Sequence, residues 1–408
     1  MYKKFIKKWI GFVLLLCFSF YMGIKNSQLF FSFLFWFLVS VAALSTFWVL
    51  LEYCGSSLKI SRTNIPKIQE DESVEINIKI ANKGMIPLLN LVVEDSAPCA
   101  QAGERKKYIL VDYLGISGEK ELKYSCFCPL RGLYGLGPVK VYFFDPFGLI
   151  FLRKTFAARS ELYVYPRTFK VTRFPELTKG NAPWFGIETS RVSGDEDEFF
   201  GVREYKSGDP IKKIHWISSA RKNELIVKEY QRQSFFKATI VFNLDKENNL
   251  GEGKNSVCEY IIKIVASVSK YLINMGVSVE VIAHTDDTVC IEANKGNEHL
   301  EDILKFLAMA KIESRVSFME VFESFSQNIS DDSTVIAVML DKDREYLPNM
   351  LSLSARNVAI LPIILVTSTF ADESLNTIPD DVFDIRLPGI MSLAPIYVLR
   401  SDNLEEKF

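Results

Sequence analysis

The chain has 408 residues, 48% of them hydrophobic, and a mean hydropathy of +0.10, which is more apolar than an ordinary soluble protein of this length. Its 48 basic and 50 acidic residues leave a formal charge of −2, so no overall field points to a nucleic-acid partner. The residues beyond Tyr53 are enough for about two domains.

The apolar excess lies at the N-terminus. Lys3, Lys4, Lys7 and Lys8 precede an uncharged run over residues 9–24, and a second run covers 29–51. As a helix the second run reaches roughly 34 Å, enough for a hydrocarbon core of about 30 Å. The first is shorter, and its flanking lysines can snorkel to the interface. A signal peptide is the competing reading, but no small-x-small cleavage site precedes Asn26 and a full span follows at once. Only Lys25 to Gln28 joins the runs, so a transmembrane hairpin over residues 1–53 is expected, touching membrane lipid through both helices. Four lysines before it and Lys59, Arg62 and Lys67 after it, against Lys25 in the loop, place both outer ends and the folded bulk in the cytoplasm, at the plasma membrane.

Residues 54–166 switch to a period of two. Val74, Ile76, Ile78 and Ile80 alternate with Glu75, Asn77 and Lys79, as Val139, Val141 and Phe143 do with their neighbours. Turn clusters separate such runs, at Asn82-Lys-Gly84, Gly115 to Gly118, Arg131 to Gly135 and Asp145 to Gly148, and the spacing predicts an antiparallel β-sandwich. Cys17, Cys54, Cys99, Cys126, Cys128, Cys258 and Cys290 are odd in number and scattered, which fits reduced thiols better than a disulfide framework. Cys126-Phe-Cys128 alternates along a strand and has no second pair at ligand spacing, so it is read as buried structure.

Residues 167–197 read as a connector with glycines at 180, 186 and 194 and an acidic end, Asp195 to Glu198; Trp184-Phe185 is its one apolar pair. From residue 198 to 408, strand and helix patterns alternate. Leu225–Tyr230, Ala238–Leu244, Val277–Ala283, Thr288–Ala293, Thr334–Leu340 and Val358–Val366 read as strands, and Val257–Met275 and His299–Ala310 as helices. This order predicts helices on both faces of a mostly parallel sheet, with ligands beyond the carboxyl ends of its strands, where Asp245 stands.

Between Glu198 and Tyr230, aromatics, both charge signs and turn residues crowd together. Gly208, Asp209 and Pro210 form a turn into a short helix, on which Ile211, Ile214 and Ser218 share a face with Trp216 and Ala220 beside it, until Lys222-Asn223. Gly201-Val-Arg203-Glu204-Tyr205, Gly208-Asp209, Ile214-x-Trp216, Ala220-Arg221 and Leu225-x-Val227-Lys228-Glu229 resemble the signature of the domain-of-unknown-function-58 proteins. Arg131-Gly-x-Tyr134-Gly and Asp145-Pro-Phe-Gly-Leu149 resemble the same family's β-rich segment. The resemblance implies a bacterial membrane protein with two N-terminal helices, a β-rich segment and a von Willebrand factor A-like (Rossmann-type) α/β domain, working with a MoxR-type AAA ATPase. It implies no reaction.

Two roles compete for the central stretch. As a clasp, Arg203, Glu204, Asp209, Arg221, Lys228 and Glu229 pair by charge over a buried Trp216; as a docking site, part of the same set faces a partner protein. A metal site of the von Willebrand A kind carries Asp-x-Ser-x-Ser, whereas Asp245-Lys-Glu247-Asn-Asn249 lacks both hydroxyls, so no cofactor is expected beyond magnesium at a degenerate site formed by the remaining oxygens. Gly251 to Ser256 sits where a phosphate loop belongs but has Asn248 for the first glycine and Asn255 for the magnesium-binding hydroxyl. His215, His284 and His299 complete no catalytic set, and His215 is read as packed. The expectation is a non-enzymatic, membrane-anchored adaptor or scaffold for assembly or maturation of a protein complex. Its rival is a metal-dependent enzyme using Asp245 and residues 198–230.

Overall fold

The computed structural model describes residues 2–26, 29–63, 65–175, 178–179, 182–183, 193–206, 209, 211–231, 237–285, 287–326, 329, 333–343, 352–353, 355–356, 358–371 and 395–408. The chain divides into two compact units, Met1–Arg167 and Thr168–Phe408.

The first unit opens with α1 (Tyr2–Asn26) and α2 (Leu29–Gly55). Each is long and apolar enough to cross a membrane, over Lys8–Lys25 and Leu29–Gly55. They pack against each other through Phe20 and Phe35, whose ring centroids lie 5.1 Å apart, and through Ser19 Oγ, which donates to the Phe31 carbonyl at 3.0 Å. The strands β1 (Leu58–Arg62), β2 (Ile68–Gln69), β3 (Glu72–Asn82), β4 (Leu88–Ser96), β5 (Lys106–Leu114), β6 (Glu119–Cys128), β7 (Gly132–Leu136), β8 (Val139–Phe144), β9 (Phe151–Phe156) and β10 (Ser160–Tyr165) follow. They form sheets of order β1-β3-β6, β5-β4-β8-β9 and β2-β10-β7, antiparallel throughout except where β2 meets β10. The alternation that signals β3 does what the period demands: Val74, Ile76, Ile78 and Ile80 enter one core with Leu91 and Val93 of β4 and Val141 and Phe143 of β8.

The second helix outruns its apolar stretch and ends inside this core. Val49 is fully buried there, the Leu89 N–H donates to Glu52 Oε1 at 2.9 Å, and the Tyr53 ring meets Phe143 edge-on at 5.9 Å. Lys154 lies over the Tyr53 ring at 5.4 Å and donates to the Ser56 carbonyl at 3.3 Å. Helix and sheets are therefore continuous, with no slack segment between them.

The second unit starts with the two-residue strands β11 (Thr178–Lys179) and β12 (Ala182–Pro183), and then β13 (Ser193–Glu204) pairs antiparallel with β14 (Ile226–Gln231). The acidic end of the expected connector thus belongs to β13, while Trp184 and Phe185 lie outside the described residues. The sheet is built from β15 (Lys237–Asn243), β16 (Ser278–His284), β17 (Thr288–Asn294), β18 (Thr334–Leu340), β19 (Ala359–Leu365) and β20 (Ile396–Val398), with α4 (Val257–Asn274), α5 (Gly296–Met309) and α6 (Phe318–Ser326) between them. Its order is β17-β16-β15-β18-β19-β20, parallel except for the antiparallel edge strand β17. Ile240 and Phe242 face α4 and α5, while Val241 faces Phe318, Val321 and Phe322 of α6, so helices cover both faces. The strand order reverses between β15 and β18, and Asp245 and Asp341 follow the carboxyl ends of those two strands.

Candidate functional site

The central stretch is a two-stranded ribbon carrying a helical insert. After β13, Arg203 grips Asp209 with both guanidinium nitrogens, at 2.6 and 2.7 Å, and Asp209 also accepts the Lys206 N–H at 2.8 Å. The Arg203 guanidinium, with that backbone donor, holds the Asp209 carboxyl down at about 2. The single predicted helix is divided in two: a 3-10 turn covers Ile211–Lys213 and α3 covers Trp216–Lys222. The division falls at His215. Ile214 bridges to Val227 of β14, and the His215 N–H donates to the Ile226 carbonyl at 2.8 Å, so these two residues are extended. His215 then caps α3, its Nδ1 accepting the Ser218 N–H at 3.3 Å, and Asn223 closes it in the left-handed region at φ 56.

That break turns the insert inside out relative to the sequence reading. Ile214 is buried, but Ile211 is 69% exposed, Ile217 68% and Trp216 63%. The Trp216 side chain is therefore outside and not beneath a charge network. The buried link is made by Ser219, which no motif singled out: its Oγ accepts the Ile226 N–H at 2.9 Å and donates to the His215 carbonyl at 3.1 Å. Glu204, Ala220 and Arg221 are exposed, Tyr205 pairs with Leu225 through its N–H at 2.8 Å, and Lys228 is half-buried. Gly208, Pro210 and the side chain of Glu229 lie outside the described residues. Among the described members of the expected network, Arg203 and Asp209 are the pair that forms.

At the carboxyl ends of the sheet strands, the acidic oxygens are already engaged. Asp245 accepts the Glu247 N–H at 2.9 Å and the Asn248 amide at 2.6 Å, and Asn249 Oδ1 accepts the Cys258 N–H of α4 at 3.0 Å. Asp341 Oδ1 receives both the N–H and the hydroxyl of Thr367, at 3.1 and 2.7 Å, and Asp343 receives the Leu340 N–H at 3.0 Å. Burial, with Asp245 and Asp341 nearby, pushes Asp343 up to about 6. Both Asp245 oxygens thus brace their own loop, and Asn249 Oδ1 caps α4. Among the described residues, the side chains whose ligand atoms converge closely enough for a metal are instead Cys99, Cys126 and Cys128, in the first unit.

The histidines are held by packing and capping. His299 Nε2 contacts the Val279 carbonyl at 2.7 Å in the interior, and His284 Nδ1 contacts Thr288 Oγ1 at 2.7 Å.

Residues 201–375 match the family described as "Protein of unknown function DUF58". The match covers the insert and most of the sheet, including the Arg203–Asp209 pair and the exposed Trp216. A similar curated protein is the uncharacterized protein YeaD of Bacillus subtilis (strain 168), 21% identical over 255 residues, which are 60% of this chain and 60% of that protein. This chain thus spans 60% of its relative's length. Among solved structures, the CARDB domain of the PF1109 protein from Pyrococcus furiosus, in complex with di-metal ions, is 16% identical over 27% of this chain and 93% of its own, at a TM-score of 0.20. A β-glucosidase from Listeria innocua in complex with isofagomine is 16% identical over 27% of this chain and 16% of its own, at 0.16. Likenesses so slight carry neither a fold nor an activity across.

Proposed function

We propose that this chain is a membrane-tethered, non-enzymatic adaptor whose ribbon insert docks a cytoplasmic protein partner, a MoxR-type AAA ATPase, during assembly or maturation of a protein complex. The observation that carries the reading is the exposed apolar set Ile211, Trp216 and Ile217 on a firmly braced insert, with Lys212, Arg221 and Lys222 exposed beside it. Large apolar side chains grouped in water are characteristic of interaction sites, and tryptophan and arginine are the residues such sites rely on. The brace is Arg203–Asp209, the His215 cap and the buried Ser219 hydroxyl, so the surface is preorganised and little ordering entropy opposes binding.

On this reading α1 and α2 cross the membrane as a hairpin with both ends cytoplasmic, following the lysine asymmetry of the sequence, and the α/β unit is von Willebrand A-like with a metal site that has been lost. The experiment is affinity capture of the full chain from detergent-solubilised membranes with ATP, ADP or no nucleotide, followed by mass spectrometry. Wild type enriches an AAA ATPase, and Trp216→Ala with Ile217→Ser does not, at an unchanged melting temperature. Enrichment of no protein under any nucleotide condition would end the adaptor reading.

A further inference from the structure

The core of the sheets in the first unit holds three sulfurs that the adaptor role does not use. Cys126 and Cys128 lie two residues apart on β6, so both side chains leave the same face and enter the core, while Phe127 between them is 37% exposed. Cys99 arrives from the facing sheet, on the turn that follows β4. None of the three is more than 2% exposed. Cys99 Sγ lies 3.4 Å from Cys126 Sγ, and all three sulfurs lie within 4.8 Å of one another.

A single buried cysteine is explained as a small hydrophobe. Three that converge from two sheets make a donor set. Sulfurs bound to one ion at about 2.3 Å stand roughly 4 Å apart, so these need move only by tenths of an ångström to share one. A set made only of sulfur selects soft ions. Zinc demands a fourth ligand in a tetrahedron, and among the described residues no further His, Cys, Asp or Glu joins the group. The turn that bears Cys99 is closed by the Ala97 N–H on the Arg105 carbonyl at 2.9 Å, with Gln101 to Glu104 exposed to solvent.

We propose that Cys99, Cys126 and Cys128 bind one copper(I) ion as a three-sulfur site that clamps the two sheets together. Each sulfur that bonds the ion releases its proton to solvent, and no electron is transferred.

The test is anaerobic titration of the reduced, metal-stripped full chain in detergent with Cu(I), in competition with bicinchoninate. One equivalent binds per chain, the melting temperature rises with Cu(I), and the three thiols become protected from alkylation. Cys126→Val keeps core volume and lowers affinity by more than the roughly 100-fold that loss of a supporting residue costs a metal site. Cys99→Ala, whose turn can close over a smaller side chain, does the same. Cys54→Ala and Cys290→Ala, at exposed positions, leave binding unchanged. Three results would overturn the proposal: no Cu(I) bound by wild type, Zn2+ bound in preference with Cu(I) excluded, or a Cys99–Cys126 disulfide in protein alkylated at the moment of cell lysis.

Discussion

The ion pair between Arg62 and Asp95 is the most consequential polar contact in the first unit, and Asp95→Asn isolates it. Arg62 stands on β1 and Asp95 on β4, so the pair ties the two facing sheets, and the side chains are 3% and 0% exposed. Asp95 also accepts the Tyr124 hydroxyl, and Arg62 Nε donates to the Ala158 carbonyl at 3.1 Å. The replacement keeps shape and the acceptor for Tyr124 but leaves a buried guanidinium without its counter-charge, which costs about 3 to 5 kcal/mol. At about 4 °C per kcal/mol for a unit of this size, the melting temperature falls by roughly 12 to 20 °C. Pulsed alkylation of the buried Cys126 and Cys128 during a thermal ramp reads this unit selectively. In Arg62→Met with Asp95→Asn the uncompensated charge is gone, so the double variant recovers at least about 1 kcal/mol of the loss. A cost below about 1 kcal/mol for Asp95→Asn, or strict additivity in the double variant, would refute the reasoning.

Three further outcomes follow from other parts of the fold. A Cβ on Gly84 would lie 2.3 Å from the Gly55 carbonyl oxygen and 2.9 Å from the Ser57 N, both backbone atoms, so Gly84→Ala destabilises the junction of α2 with the sheets by about 1 to 3 kcal/mol, read as earlier alkylation of Cys126 in the same ramp. Asp343, held up at about 6, stabilises the fold fully below the unfolded value near 4 and loses that contribution as pH rises from about 4 through 6, so Asp343→Asn removes the dependence and gains about 1 to 2 kcal/mol at pH 7.5, after allowance for its solvent-facing side, in chemical denaturation at the two pH values. Magnesium up to millimolar levels leaves the melting temperature of wild type and Asp245→Ala equally unmoved, whereas a rise in wild type alone would restore the metal reading.

Much of the architecture could be read directly from side-chain period. The β3 alternation and the α4 pattern of Ile261, Ile264, Val265, Val268 and Leu272 each specify one buried face, and α4 ends within a residue of its expected bounds. Helix α6 is also written in the sequence, since Phe318, Val321 and Phe322 carry helical spacing. Cys99 was not legible: its place beside Cys126 depends on how two sheets face each other, which no local pattern encodes. Trp216 failed for a different reason. The face assigned to it assumed an unbroken helix, and the hydrogen bond from the His215 N–H to Ile226 interrupts that helix and rotates everything after it. Glu52 shows the same limit, since an acidic residue at the end of an apolar run reads as its boundary, while here it accepts the Leu89 N–H within the adjoining core.

The central claim is that the insert meets a protein. A photo-crosslinking amino acid in place of Trp216, irradiated in native membranes and resolved by mass spectrometry, tests it in one step. The docking account gives a covalent adduct to an AAA ATPase; adducts to lipid alone, or to water alone, would contradict it.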